Sequence, residues 1–90
     1  MHSTEEIMTT DGIPLYVQHW KPNTNAIKAT ILLVHGIAEH MGRYAHVADR
    51  LVTSGYAVSG MDLRGHGKSG GQPRAYVHDF HIFAEDIEFL

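Results

Sequence analysis

Between Gly65 and Gly71 the sequence reads GHGKSGG, and its residue types fit three kinds of chemistry at once. Gly65, Gly67 and Gly70 have the G-x-G-x-x-G spacing of a turn that lays backbone amides against a pyrophosphate. Gly67-Lys68-Ser69 matches the end of a loop that cradles phosphates. Gly67, Ser69 and Gly71 have the G-x-S-x-G spacing of a strained turn that presents a serine nucleophile. Each chemistry needs a particular context, and the flanking residues decide among them.

The dinucleotide turn must open directly into a helix whose N-terminus faces the pyrophosphate. Here Gln72-Pro73 follows, and apolar helical periodicity resumes only near Phe80. The acidic residue about twenty positions on, Glu85, falls inside that periodicity instead of at a strand end. The phosphate loop requires a glycine where this chain has Asp62, whose carboxylate repels phosphate. The nucleophile elbow needs a strand ending and a helix beginning at the serine, and Ser69 has neither. Asp79 and His81 stand two apart at a helix start and face different directions. Ser69 therefore reads as a loop serine. The histidines at 2, 19, 40, 46, 66, 78 and 81 include no H-E-x-x-H, and His40 and His46 make no convincing ligand pair. Neither a metal nor a cofactor is expected.

The elements that position this loop follow from apolar periodicity. Glu6 to Thr10 and Ile13 to Trp20 flank Asp11-Gly12, a two-residue hairpin signal, with Pro14 near the start of the second strand as an edge tolerates. Ala29 to Val34 is apolar on both alternating faces, which predicts a parallel strand covered on both sides. Tyr44, Val47, Ala48, Leu51 and Val52 recur with helical spacing, and Gly55 follows as a C-terminal stop. Tyr56 to Met61 reads as a second buried strand. Phe80, Phe83, Ala84 and Ile87 share one face of a second helix. The order is β-β-β-α-β-loop-α, with a right-handed crossover that makes its two strands parallel. No linker or repeat divides residues 1–90, which read as part of a single domain.

Composition narrows the class. Ninety residues with 43% hydrophobic and 19% charged content describe a globular chain, and a net charge of −3 without a basic stripe argues against nucleic acid. A domain of this size buries only about 60–65% of its unfolded surface, so alone it is marginal. The absence of cysteine removes disulfides and suits a reducing compartment. The run from Ala29 to Val34 is too short to span a bilayer, and the polar start MHSTEE is not a signal or transit peptide. The expected location is cytoplasmic, with peripheral contact at membranes.

Two longer stretches carry more information than the loop's short patterns. Residues 33–44 read LVHGIAEHMGRY and residues 62–69 read DLRGHGKS, with DFHIF following at 79–83. Together they resemble the serine hydrolases of the α/β-hydrolase fold, most closely the monoacylglycerol lipase and lysophospholipase branch. In that branch an HG-x-G-EH-x-GRY segment follows the third strand and D-x-RGHG-x-S follows the fourth. The resemblance covers nearly the whole chain and implies the N-terminal portion of a three-layer α/β fold. It makes GHGKSGG the fourth-strand loop that braces the active site from below, with Gly65, Gly67 and Gly70 free to take positive φ.

The resemblance also implies roles. The backbone N–H of Ile37 becomes an oxyanion-hole donor for acyl transfer, in a loop whose amides are not consumed by the sheet. Ile37 is larger than the residue usual there, and Ala38 stands where the branch often has glycine. Glu39 and Arg43 stand near the alcohol end of a lipid or ester substrate; an acid beside a helix start and a solvated arginine is the equal alternative. His35, Gly36, Arg64, Gly65, His66, Gly67 and Ser69 form the loop scaffold, with His35 a structural histidine. The branch's nucleophile, acid and histidine come later in chain order, after a fifth strand. The expectation is a carboxylic ester hydrolase in the complete protein and an inactive isolated chain. Within the fold a peptidase, a thioesterase or a non-lipid esterase remains open. A second class is a truncated module that assembles through the strand edge left open at Ala29 to Val34. Nucleotide binding is the third and poorest reading.

Overall fold

The computed structural model describes residues 1–36, 40–72, 74 and 81–89. A hairpin opens the chain: β1 (His2–Met8) pairs antiparallel with β2 (Pro14–Trp20), His2 opposite Trp20 and Met8 opposite Pro14. β3 (Thr30–Val34) leads through a 3-10 turn (Met41–Tyr44) into α1 (Ala45–Thr53) and back to β4 (Ala57–Met61). α2 (His81–Ile87) follows the glycine-rich loop. The four strands form one sheet in the order β1-β2-β4-β3. β3 and β4 run parallel, as read from the sequence, and β4 pairs antiparallel with β2.

Alternation in β2 explains the three layers. Leu15 and Val17 point to one face and pack with Met61, Leu63 and Phe83, the last from α2. Trp20 points to the other and packs with Met41, Val58 and Ala48 of α1. Each face of the central strands thus meets a helix. α1 ends in a Schellman motif: Tyr56 N–H donates to Leu51 O at 3.0 Å and Gly55 N–H to Val52 O at 2.9 Å. Gly55 supplies the required φ of +99°.

Several boundaries depart from the sequence reading. β1 begins at His2 because an edge strand needs backbone pairing with β2 and no buried stripe; HSTEE gave no apolar alternation to read. The turn takes residues 9–13, and not Asp11-Gly12 alone. Thr9 N–H donates to Ile13 O at 3.0 Å, and Thr9 Oγ1 accepts Ile13 N–H at 2.9 Å. β3 is an edge strand among the described residues, with Leu32 44% and Val34 51% exposed, so only its α1-side face is covered. On α2, Ala84 is exposed and Asp86 is buried, the reverse of the apolar pattern. Asp86 is drawn inward by an arginine, described next.

Candidate active site: the loops after β3 and β4

Both loops leave the C-terminal ends of parallel strands, where an open α/β sheet places its ligands. Asp62 follows β4 and is buried at 3% exposure. Its two carboxylate oxygens accept two backbone amides: Met41 N–H on Oδ1 at 2.7 Å and Lys68 N–H on Oδ2 at 2.9 Å. The sequence marks Asp62 as hostile to phosphate and as the head of the D-x-RGHG-x-S stretch, without giving its side chain a role. It is the point where the two loops meet.

His35 is the first residue after β3 and is buried. Leu63 N–H donates to its Nε2 at 2.8 Å, so the ring proton sits on Nδ1, 2.6 Å from Gly36 O. The ring of His66, also buried, lies 5.1 Å from that of His35 and presents an edge contact to Phe83. Its Nδ1 is 2.9 Å from Arg64 O. Gly36 and Arg43 are exposed, Arg43 on the 3-10 turn. Ile37 and Glu39 lie outside the described residues.

Ser69 is held at both ends of its hydroxyl. It donates to Asp62 O and accepts Tyr16 N–H at 2.8 Å, while its side chain is buried. A hydroxyl committed in this way ties the loop to β2 and is not placed to attack a substrate. Gly65, Gly67 and Gly71 adopt positive φ; Gly71, and not Gly70, is the third such glycine. A Cβ on Gly70 would instead meet Pro14 Cδ at 2.8 Å, so this glycine serves close approach to β2. Arg74 closes the loop from outside, with its guanidinium on Ser69 O at 2.7 Å and Gly67 O at 2.8 Å. No sequence pattern had marked it.

Arg64 turns away from this centre. Its guanidinium forks onto Asp86 of α2, Nε to Oδ2 at 2.7 Å and an NH2 group to Oδ1 at 2.9 Å. A second fork reaches Asp11 of the hairpin turn at 2.8 and 3.1 Å. Hydrogen bonds from Arg64, then from Thr9, hold the Asp11 carboxyl well below the usual carboxylate range. Hydrogen bonds to Asp86 and then Asp11 raise the Arg64 guanidinium further above its ordinary value.

A cavity of about 370 Å³ opens beside the loops, lined by Tyr16, Gln18, His40, Gly42, Asp62, Gly67 and Lys68. Neither His35 nor Gly36 lines it. The Lys68 ammonium lies 5.0 Å from the centroid of the Tyr16 ring. Elsewhere Ser59, His19 and Glu5 stand in line, with Ser59 Oγ 2.8 Å from His19 Nδ1 and His19 Nε2 2.5 Å from Glu5 Oε2. Ser59 sits within β4 between β2 and β3, where the ladders take up the backbone amides that would stabilise an oxyanion. That line is a cross-strand link. Among the described residues no three His, Asp or Glu side chains converge as metal ligands, and no helix is long and apolar enough to cross a membrane.

Comparison with known proteins fits this geometry. A family model described as serine aminopeptidase, S33, matches residues 25–90. The chain is 42% identical to the monoacylglycerol lipase of Mycolicibacterium smegmatis, over 88% of its own length and 28% of that protein's. It is 41% identical to the monoglyceride lipase of Homo sapiens, over 90% of its length and 26% of that protein's. It therefore spans little more than a quarter of these relatives. The α/β hydrolase GrgF from Penicillium superposes on 99% of the chain, which covers 30% of that structure, with a TM-score of 0.79 at 24% identity. The sheet order, the crossover and the two loops are those of an α/β hydrolase, and the chain belongs to the serine aminopeptidase S33 family of that fold.

Proposed function

We propose that this chain forms the oxyanion side of a serine ester hydrolase acting on monoacylglycerols or lysophospholipids. The observation that carries the reading is its identity of more than 40% to two proteins named as monoacylglycerol and monoglyceride lipases, over about nine-tenths of its length. In this reading the Ile37 N–H donates to the oxyanion, and Glu39 and Arg43 meet the glycerol or head-group end. His35, Gly36, Arg64, Gly65, His66, Gly67 and Ser69 form the scaffold. The nucleophile is a serine outside these ninety residues. Removing one oxyanion-hole donor costs about a hundredfold or more in rate.

The test is intact mass before and after a serine-reactive fluorophosphonate, with monoacylglycerol hydrolysis measured alongside, on the protein as its gene encodes it. The expected result is a polypeptide well above 10.0 kDa that gains one adduct, maps it away from Ser69 and Ser59, and hydrolyses the ester. A 10.0 kDa polypeptide that gains no adduct and hydrolyses nothing overturns the reading.

The edge position of β3 favours a second role for the ninety residues by themselves, assembly through that strand. Leu32 and Val34 are exposed beside a backbone edge with no strand beyond it among the described residues, an arrangement that recruits another chain. Sedimentation of the ninety-residue chain is expected to show dimers or larger species, and Val34→Lys to shift them toward monomer. A stable wild-type monomer that unfolds cooperatively excludes this role.

A further inference from the structure

The segment that leaves β3 is anchored at both ends by consecutive residues of the chain after β4. At its start, His35 accepts Leu63 N–H on Nε2 at 2.8 Å. At its end, Met41 N–H donates to Asp62 Oδ1 at 2.7 Å. The other oxygen of the same carboxylate holds Lys68 N–H, so Asp62 joins the first residue of the 3-10 turn to the glycine-rich loop. Two glycines allow this closeness. A Cβ on Gly67 would overlap Asp62 Oδ2 and stand 2.9 Å from His40 Cβ, and one on Gly60 would stand 2.8 Å from Met41 Sδ.

We propose that Asp62 is the positioning residue for the β3 loop: its carboxylate fixes where that loop enters the 3-10 turn at Met41, and the amides between depend on that anchor. This rests on the ester-hydrolase reading, in which those amides include the oxyanion donor at Ile37. The chemistry requires a carboxylate because two backbone N–H groups converge on one side chain. A carboxylate offers acceptors on both oxygens, whereas an isosteric amide opposes one N–H with its own NH2. One of the two loops must then let go.

The test is Asp62→Asn in the protein as its gene encodes it, with two readouts. Amide hydrogen exchange at Met41 or Lys68 is expected to accelerate about tenfold or more, with Val17 and Val58 in the sheet unchanged. In ester hydrolysis kcat is expected to fall about a hundredfold with KM within about twofold, since displaced donors cost transition-state and not ground-state binding. Gly67→Ala provides the second variant: it keeps the carboxylate but pushes it aside, and the same two changes are expected. Unchanged exchange at both amides overturns the proposal, as does faster exchange with an unchanged kcat. If the wild type hydrolyses no ester and takes no fluorophosphonate, the hydrolase reading falls. The exchange readout then decides alone, upholding Asp62 as the anchor if Met41 or Lys68 opens and removing it if neither does.

Discussion

Replacing Asp86 with alanine destabilises the protein by about 3–5 kcal/mol, the cost of removing one partner from a buried ion pair. The Asp86 carboxylate is 1% exposed, and both its oxygens are taken by Arg64. Without it the guanidinium stays half-buried on one fork only, the one to Asp11. That partner is 58% exposed at its side chain and cannot substitute in a low-dielectric site. Urea denaturation with an unchanged m-value measures the loss, and a loss below about 1 kcal/mol would place the pair among the weak surface bridges. The double variant Arg64→Met with Asp86→Leu is expected to recover most of the stability, because a matched apolar pair carries no desolvation penalty. The Asp11 arm responds to pH with a definite sign. Its folded-state pKa is depressed, so its contribution is complete above the unfolded value of about 4 and is lost as pH falls through the folded value. The arm is small because the carboxylate is largely in water.

Asp86 also shows where sequence reading stops. Apolar periodicity located α1, its Gly55 stop and the parallel pair β3 and β4, because those elements are specified by side chains that bury themselves. It placed Ala84 on the inner face of α2 because no local pattern announces that Asp86 will be paid for by an arginine 22 positions earlier. β1 starts four residues before the segment that apolar residues indicate, for the related reason that an edge strand is held by its ladder. Within the site, the family-like stretches mark His35, Gly36, Arg64, Gly65, His66, Gly67 and Ser69, yet say nothing of what each side chain touches. Asp62 stands at the head of the second stretch, yet nothing in the sequence assigns its carboxylate a role. Its role depends on Met41 and Lys68 coming together across the sheet end, and that contact exists only in three dimensions. The isolated glycine in β4 was a usable signal, since a glycine inside a strand often marks a close approach.

Met41→Ala tests that approach and is expected to cost about 2–5 kcal/mol, as for other fully buried side chains cut to alanine. Met41 is 0% exposed and packs with Trp20, Ala48 and Val58 beneath α1, its thioether lying over Gly60. Gly60→Ala alone is expected to cost about 1–3 kcal/mol, because the added methyl strikes Sδ and Cε at 2.8 and 2.9 Å. The two changes are complementary: one opens a void where the other adds a methyl. The double variant is therefore expected to be more stable than the sum of the singles by about 0.5–3 kcal/mol. The backbone N–H at position 41 that donates to Asp62 is present in every member of the cycle. Thermal or urea unfolding gives the coupling, and exchange at the Met41 amide shows whether the anchor holds while the packing changes. Costs that add to within about 0.5 kcal/mol would mean that Met41 does not rest on Gly60. A coupled pair with a protected amide would mean that packing and the Asp62 carboxylate secure the same turn independently, one through its side chain and the other through its backbone.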